Sequence, residues 1–279
     1  MPEISVARYR AGEGEPVVLL HGFTATWRCW LPVLADLAAR YDVLAPTLTG
    51  HDGGPPAVPD QGHSLEVAAG HVEAQLDAQG IDTAHLVGNS MGGTLALELA
   101  KRGRARSVVG LSPGGGWHPG DPEGARIERF FRRQLRLTRA ARRGLPRIMS
   151  RPATRRAALR DILRLGEQLP AAEAVALSRS SLRCTVVEDV FAAIRSGEGL
   201  LQDLDRVRAP TLIAWAEHDR VLPLERHEHR FRTEIPDVTF RVLPGVGHVP
   251  MSDDPALVSR TIVDWVERHR APVAEVHYL

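Results

Sequence analysis

Cysteine is scarce in this chain of 279 residues: Cys29 and Cys184 are the only two. Two cannot build a disulfide framework, and they lack the spacing of metal ligands, so both are expected as buried, unreactive thiols. Long apolar runs are missing as well. No stretch approaches the length that crosses a bilayer, and the segment from Met1 to Arg10 has no apolar core of the secretory type, which sets a cytoplasmic location as the expectation. Charge of one sign is also lacking. A net charge of +1 removes the electrostatic ground for a nucleic-acid partner. Lysine is nearly absent, Lys101 standing alone against 34 arginines, a bias that reflects a GC-rich coding sequence more than chemistry.

What is present is ordinary globular composition, 43% hydrophobic and 25% charged, at a length that fits one domain with an insertion better than two domains. Short apolar, β-branched runs at 17–20, 43–45, 85–87, 108–111, 211–215 and 239–243 predict strands. Helical patterns between them, at 31–40, 65–79, 90–101, 224–234 and 255–268, predict parallel βαβ units. Asp253 and Asp254 before Pro255 are expected to open the last helix. The Gly- and Pro-rich stretch 50–62 reads as a loop and 271–279 as a loosely held tail.

The alternation breaks once. Residues 117–202 read as wholly helical and are expected to form a cap over a core made of 1–116 and 203–279. This cap carries 17 arginines against nine acids. On its first helix Arg126, Arg129, Arg132, Arg133, Arg136, Arg139 and Arg143 fall on one side and Ile127, Phe130, Phe131, Leu135 and Leu137 on the other. Such a helix fits an anionic membrane surface or an acidic protein partner. The favoured reading is simpler: a solvated outer face over an apolar one that roofs a pocket lined by Trp117, Phe130 and Phe131.

Four segments carry the chemistry. Gly88-Asn89-Ser90-Met91-Gly92 stands between a strand and a helix, the G-x-S-x-G pattern of a nucleophile elbow. A serine hydroxyl is a weak nucleophile near neutral pH and needs a base within reach and a group to orient that base. Asp219 follows the strand 211–215 in Ala216-Glu217-His218-Asp219, and His248 follows 239–243 in Gly245-Val246-Gly247-His248. Both therefore belong to the sheet edge where loops gather and ligands bind. His21-Gly22-Phe23, after the strand 17–20, supplies backbone N–H groups for an oxyanion.

With these motifs in this order, the chain resembles the α/β-hydrolase superfamily in its capped, esterase-like serine-hydrolase branch. The resemblance implies a mostly parallel central sheet flanked by helices with an inserted helical cap. It implies Ser90 as nucleophile, His248 as general base, Asp219 as its orienting acid, and the N–H groups of Phe23 and Met91 as oxyanion donors. It implies a carboxylic ester, or another small molecule, as substrate, with neither cofactor nor metal. Serine at position 90 argues against dehalogenase and epoxide-hydrolase chemistry. Hydrolysis of a carbon–carbon bond in ring-cleavage products is the alternative, weakened by Thr24-Ala25-Thr26 after the HGF motif and by Val249 after the histidine. A small-molecule receptor that retains the triad is a second one. Glu217 is a rival acid. His51, His63, His71, His218, His227 and His229 are expected to be solvated or structural. Trp27 and Trp30 are expected to pack the first helix, with Trp27 also a candidate for the pocket mouth.

Overall fold

The computed structural model describes residues 2–270, so the tail expected at 271–279 lies outside the described residues. Eight strands form one sheet: β1 (Glu3–Ile4), β2 (Arg8–Ala11), β3 (Pro16–Leu20), β4 (Asp42–Pro46), β5 (Ala84–Asn89), β6 (Ala105–Leu111), β7 (Thr211–Ala216) and β8 (Thr239–Leu243). Their order is β1-β2-β4-β3-β5-β6-β7-β8. β3 to β8 pair in parallel, whereas β1–β2 and β2–β4 are antiparallel. All six expected strands are present. The two N-terminal ones have no apolar run; β2 is held to β4 and its helix connection by Arg10, which donates to Asp42 at 2.7 Å and to the Gln79 carbonyl at 2.9 Å.

Strand alternation divides the core between the two faces of the sheet. Val18, Leu20, Leu86, Val108 and Ile213 face α2 (Leu65–Asp77) and α3 (Met91–Lys101). Val17, Leu19, Val87, Val109 and Leu212 face α1 (Leu31–Ala38) and, once the chain has returned, α11 (Pro255–Arg268). Between β6 and β7 the chain leaves the sheet for five helices: α4 (Pro122–Ala141), α5 (Leu145–Ser150), α6 (Pro152–Leu159), α7 (Ala171–Ser181) and α8 (Val187–Ser196). They hold a small core of their own around Leu145, Met149, Leu159, Leu163 and Leu169. After β7 come α9 (Leu224–Glu234) and, before α11, the short α10 (Pro250–Asp253).

The arginine side of α4 is not uniformly solvated. Arg132 donates to both Glu128 and Glu188, and Arg195 to Glu128, tying α4 to α8. Arg126 reaches back to the core, donating to the Val221 carbonyl at 2.7 Å. Leu137, expected on the buried side, is 53% exposed, and the buried residues of α4 lie in its first half, at Gly124 and Ile127. Among the described residues, no helix is long and apolar enough to cross a membrane.

Candidate active site

Strand β5 and helix α3 meet at a single residue. Ser90 has φ 56° and ψ −120°, a conformation that costs an L-residue of the order of 1–3 kcal/mol. The neighbouring glycines are what make the turn possible. A Cβ on Gly88 would lie 2.1 Å from the Gly92 carbonyl oxygen, and one on Gly92 2.0 Å from that of Leu20. The strained turn lifts Ser90 out of the strand line to the head of α3, where Met91 opens the helix with an N–H that has no intrahelical acceptor. Gly22 stands against it, since a Cβ there would be 3.3 Å from Ser90 Cβ. That close approach carries Phe23 to the same spot. His21 itself is structural: wholly buried, it accepts from the Leu48 N–H at 2.9 Å through Nε2, and Nδ1 lies 2.8 Å from the Gly22 carbonyl. Burial pushes its pKa down to about 4, so the ring is neutral and donates through Nδ1.

Asp219 and His248 sit on the loops after β7 and β8 and are 7% and 4% exposed. Asp219 divides its work by oxygen. Oδ1 accepts from the Val221 and Leu222 N–H groups at 2.9 and 2.7 Å, while Oδ2 is 2.6 Å from His248 Nδ1. With two backbone donors already on it, the carboxylate is an acceptor, so Nδ1 carries the hydrogen and Nε2 keeps its lone pair. Glu217 is turned elsewhere, accepting from the Gly245 N–H at 2.7 Å on the exposed side of the loop. His248 and Ser90 line one cavity.

Two cavities meet at the serine. The larger, about 800 Å³, is mostly apolar, bounded by His248, Val249, Phe130, Leu163 and helices α5 to α7, and edged by the exposed Leu31 and Leu137. The smaller, about 80 Å³, is lined by Met91, Leu95, Trp117, Ile127 and Ile194. Phe23, Phe131 and Val221 border both. Phe130, Phe131 and Trp117 each border a cavity at Ser90. Trp27 does not. It is 3% exposed, donates to the Ser5 carbonyl at 3.0 Å and packs on Tyr9, because its tight 3₁₀ turn directs it beneath the N-terminal strands and away from both cavities. The cysteines are half-buried rather than fully so, and Cys29 borders the larger cavity. Burial nonetheless raises both thiols, Cys184 to about 12, which disfavours the reactive thiolate.

Three supporting residues were not legible in the sequence. Asn89 donates through Nδ2 to the carbonyls of His248, at 2.8 Å, and Leu111, at 3.1 Å, and so fastens the histidine loop to the strand that leads into Ser90. Asp253 does not open the last helix as expected. Asp254 caps it, accepting from the Leu257 N–H at 2.8 Å, while Asp253, 5% exposed, accepts from Gly247, Arg164 and Leu165 at 2.7, 2.8 and 2.8 Å. Arg126 holds the carbonyl of Val221, whose N–H serves Asp219. The only local cue was that Asn89 adjoins Ser90 and Asp253 lies five residues from His248. Among the described residues no group of three His, Cys, Asp or Glu side chains could hold a metal ion.

Comparison with known proteins identifies the family and the fold. The profile described as "Alpha/beta hydrolase family" matches residues 17–261. The epoxide hydrolase EphH of Mycobacterium tuberculosis is 33% identical over 205 residues, 73% of this chain and 95% of that protein. A 2-hydroxy-6-oxo-6-phenylhexa-2,4-dienoate hydrolase of Burkholderia cepacia is 26% identical over 92% of this chain and 89% of its own. Among solved structures, a thermophilic esterase from Thermogutta terrifontis superimposes with a TM-score of 0.69 at 24% identity, covering 95% and 94% of the two chains. With the profile spanning most of its length and the sheet, elbow and loops in place, the chain belongs to the alpha/beta hydrolase family.

Proposed function

We propose that the protein is a serine hydrolase that cleaves a carboxylic ester through a covalent acyl-enzyme. Ser90 Oγ attacks the carbonyl carbon as His248 Nε2 takes its proton. Asp219 holds the imidazole in the tautomer this requires and stabilises the imidazolium that forms. The N–H groups of Phe23 and Met91, the second at the positive end of α3, receive the oxyanion; one such donor contributes roughly 2.7–4 kcal/mol to acyl-transfer transition states. His248 returns the proton to the departing alkoxide, and water then repeats the sequence in reverse to free the acid. In this reading 117–202 is the cap and 1–116 with 203–279 the core. Two free cysteines suit the reducing cytoplasm.

The observation that carries the proposal is the Asp219–His248 contact at 2.6 Å, on loops that share an apolar cavity with a strained, buried serine. The chemistry of the nucleophile separates it from epoxide opening: a serine attacking an epoxide carbon leaves an ether, with no carbonyl for water to attack. Carbon–carbon hydrolysis, the activity in the Burkholderia relative's name, is the second reading. Hydrolysis of p-nitrophenyl acetate by wild type and Ser90→Ala tests the first. We expect the folded variant to lose on the order of 10⁴-fold or more in kcat; near-native activity would sink the assignment. Turnover of 2-hydroxy-6-oxo-6-phenylhexa-2,4-dienoate with every ester inert would select the second.

A further inference from the structure

We infer that the site divides an ester unequally: a short acyl group in the small cavity beside Met91, and a long or bulky apolar alcohol in the large cavity beside His248. The inference rests on the ester reading above and names its substrate class. In the tetrahedral intermediate the former carbonyl carbon bears Ser90 Oγ, the oxyanion, the leaving oxygen and the acyl carbon. The oxyanion is committed to the Phe23 and Met91 N–H groups. The leaving oxygen must face His248 Nε2, since that nitrogen gives it the proton taken from Ser90 as the carbon–oxygen bond breaks. His248 borders the larger cavity and not the smaller. The alcohol therefore departs into the larger one, and the acyl chain is left with the smaller.

Size then sets the selectivity. The smaller cavity, about 80 Å³, has about a tenth of the volume of the larger, about 800 Å³, so with the carbonyl at Ser90 the acyl side favours a short chain over a long one. The end wall is stiff: Trp117 lies edge-on to His227, at 5.7 Å between ring centroids, and His227 is stacked on Trp215. The partition is aromatic as well, with Phe23 and Phe131 in edge contact at 4.9 Å. On the other side about 800 Å³ runs out to the exposed Leu31 and Leu137, so a long alcohol can trail toward the mouth.

Octyl acetate and ethyl octanoate are isomers that differ only in which side of the ester carries the chain. We expect octyl acetate to exceed ethyl octanoate in kcat/KM by on the order of 100-fold or more, as pockets that reject added methylenes discriminate. Equal or reversed preference overturns the division while leaving a serine hydrolase, provided p-nitrophenyl acetate is turned over. If p-nitrophenyl acetate is inert too, the ester reading itself falls and the division with it. Ile194→Ala enlarges the small cavity from its half-buried wall. It should raise kcat/KM for p-nitrophenyl hexanoate relative to the acetate by about tenfold; an unchanged acyl preference in the folded variant counts against the assignment.

Discussion

Replacing Asp253 with alanine should cost far more stability than an acid at a helix start is worth. An exposed carboxylate near a helix N-terminus contributes about 0.3–1 kcal/mol. Asp253 instead is 5% exposed and receives three backbone N–H groups within 2.8 Å, one from the histidine loop and two from the segment between α6 and α7. Each buried donor left unpaired costs about 1–3 kcal/mol. Water entering the vacated space recovers part of that, so the expected loss is about 3–5 kcal/mol, the range for breaking a buried charged interaction. Packing supports a tight joint here: a Cβ on Gly247 would come within 2.9 Å of the Arg164 nitrogen, and the Val249 N–H donates to the Ile162 carbonyl at 3.1 Å. Because one of the three donors is next to His248, kcat should fall at least tenfold with little change in KM, and Asp253→Asn should restore part of both losses. Urea denaturation with steady-state kinetics on p-nitrophenyl acetate reads both. A loss under 1 kcal/mol in Asp253→Ala, or an asparagine variant no better than alanine, would refute the reasoning.

Two further outcomes follow from strain and burial. Ser90→Gly should abolish turnover yet raise stability by about 1 kcal/mol, the relief of φ 56° less the chain entropy glycine adds; a lower thermal midpoint than wild type would show the turn is not strained. Acid should weaken the fold well above carboxylate pKa values. Burial holds His21, His63 and His227 down to about 4, from an ordinary 6.5, so between those values the unfolded chain binds more protons than the folded one. Stability is thus full above about pH 6.5 and is lost as pH falls toward 4, by up to about 1.4 kcal/mol per pH unit for each histidine. Denaturation midpoints from pH 7.5 to 4.5 should fall, and less steeply in His63→Gln. A flat profile would mean that these rings are charged in the fold.

Much of this protein was legible in one dimension because its signals are local. A parallel strand buried on both faces must be a short apolar run, so β3 to β7 could be read directly, whereas β8, largely exposed at the sheet edge, shows only Phe240, Val242 and Leu243 of such a run; the elbow could be read because its glycines answer a steric demand within five residues. Ser90, Asp219 and His248 were readable as candidates since each lies just past a strand, and parallel strands deliver such positions to one edge. β1 and β2 were not, for their pairing is antiparallel and held by long-range contacts such as Arg10 with Asp42. Only the tertiary structure decided what happens between segments far apart in sequence. It turned Trp27 under the N-terminal strands, made Asp253 a joint between loop and helices, and set Asn89 across 159 residues onto the His248 carbonyl. It also decided the two volumes at Ser90, since a cavity is the space left by residues from many elements, and no local pattern specifies where they fail to meet.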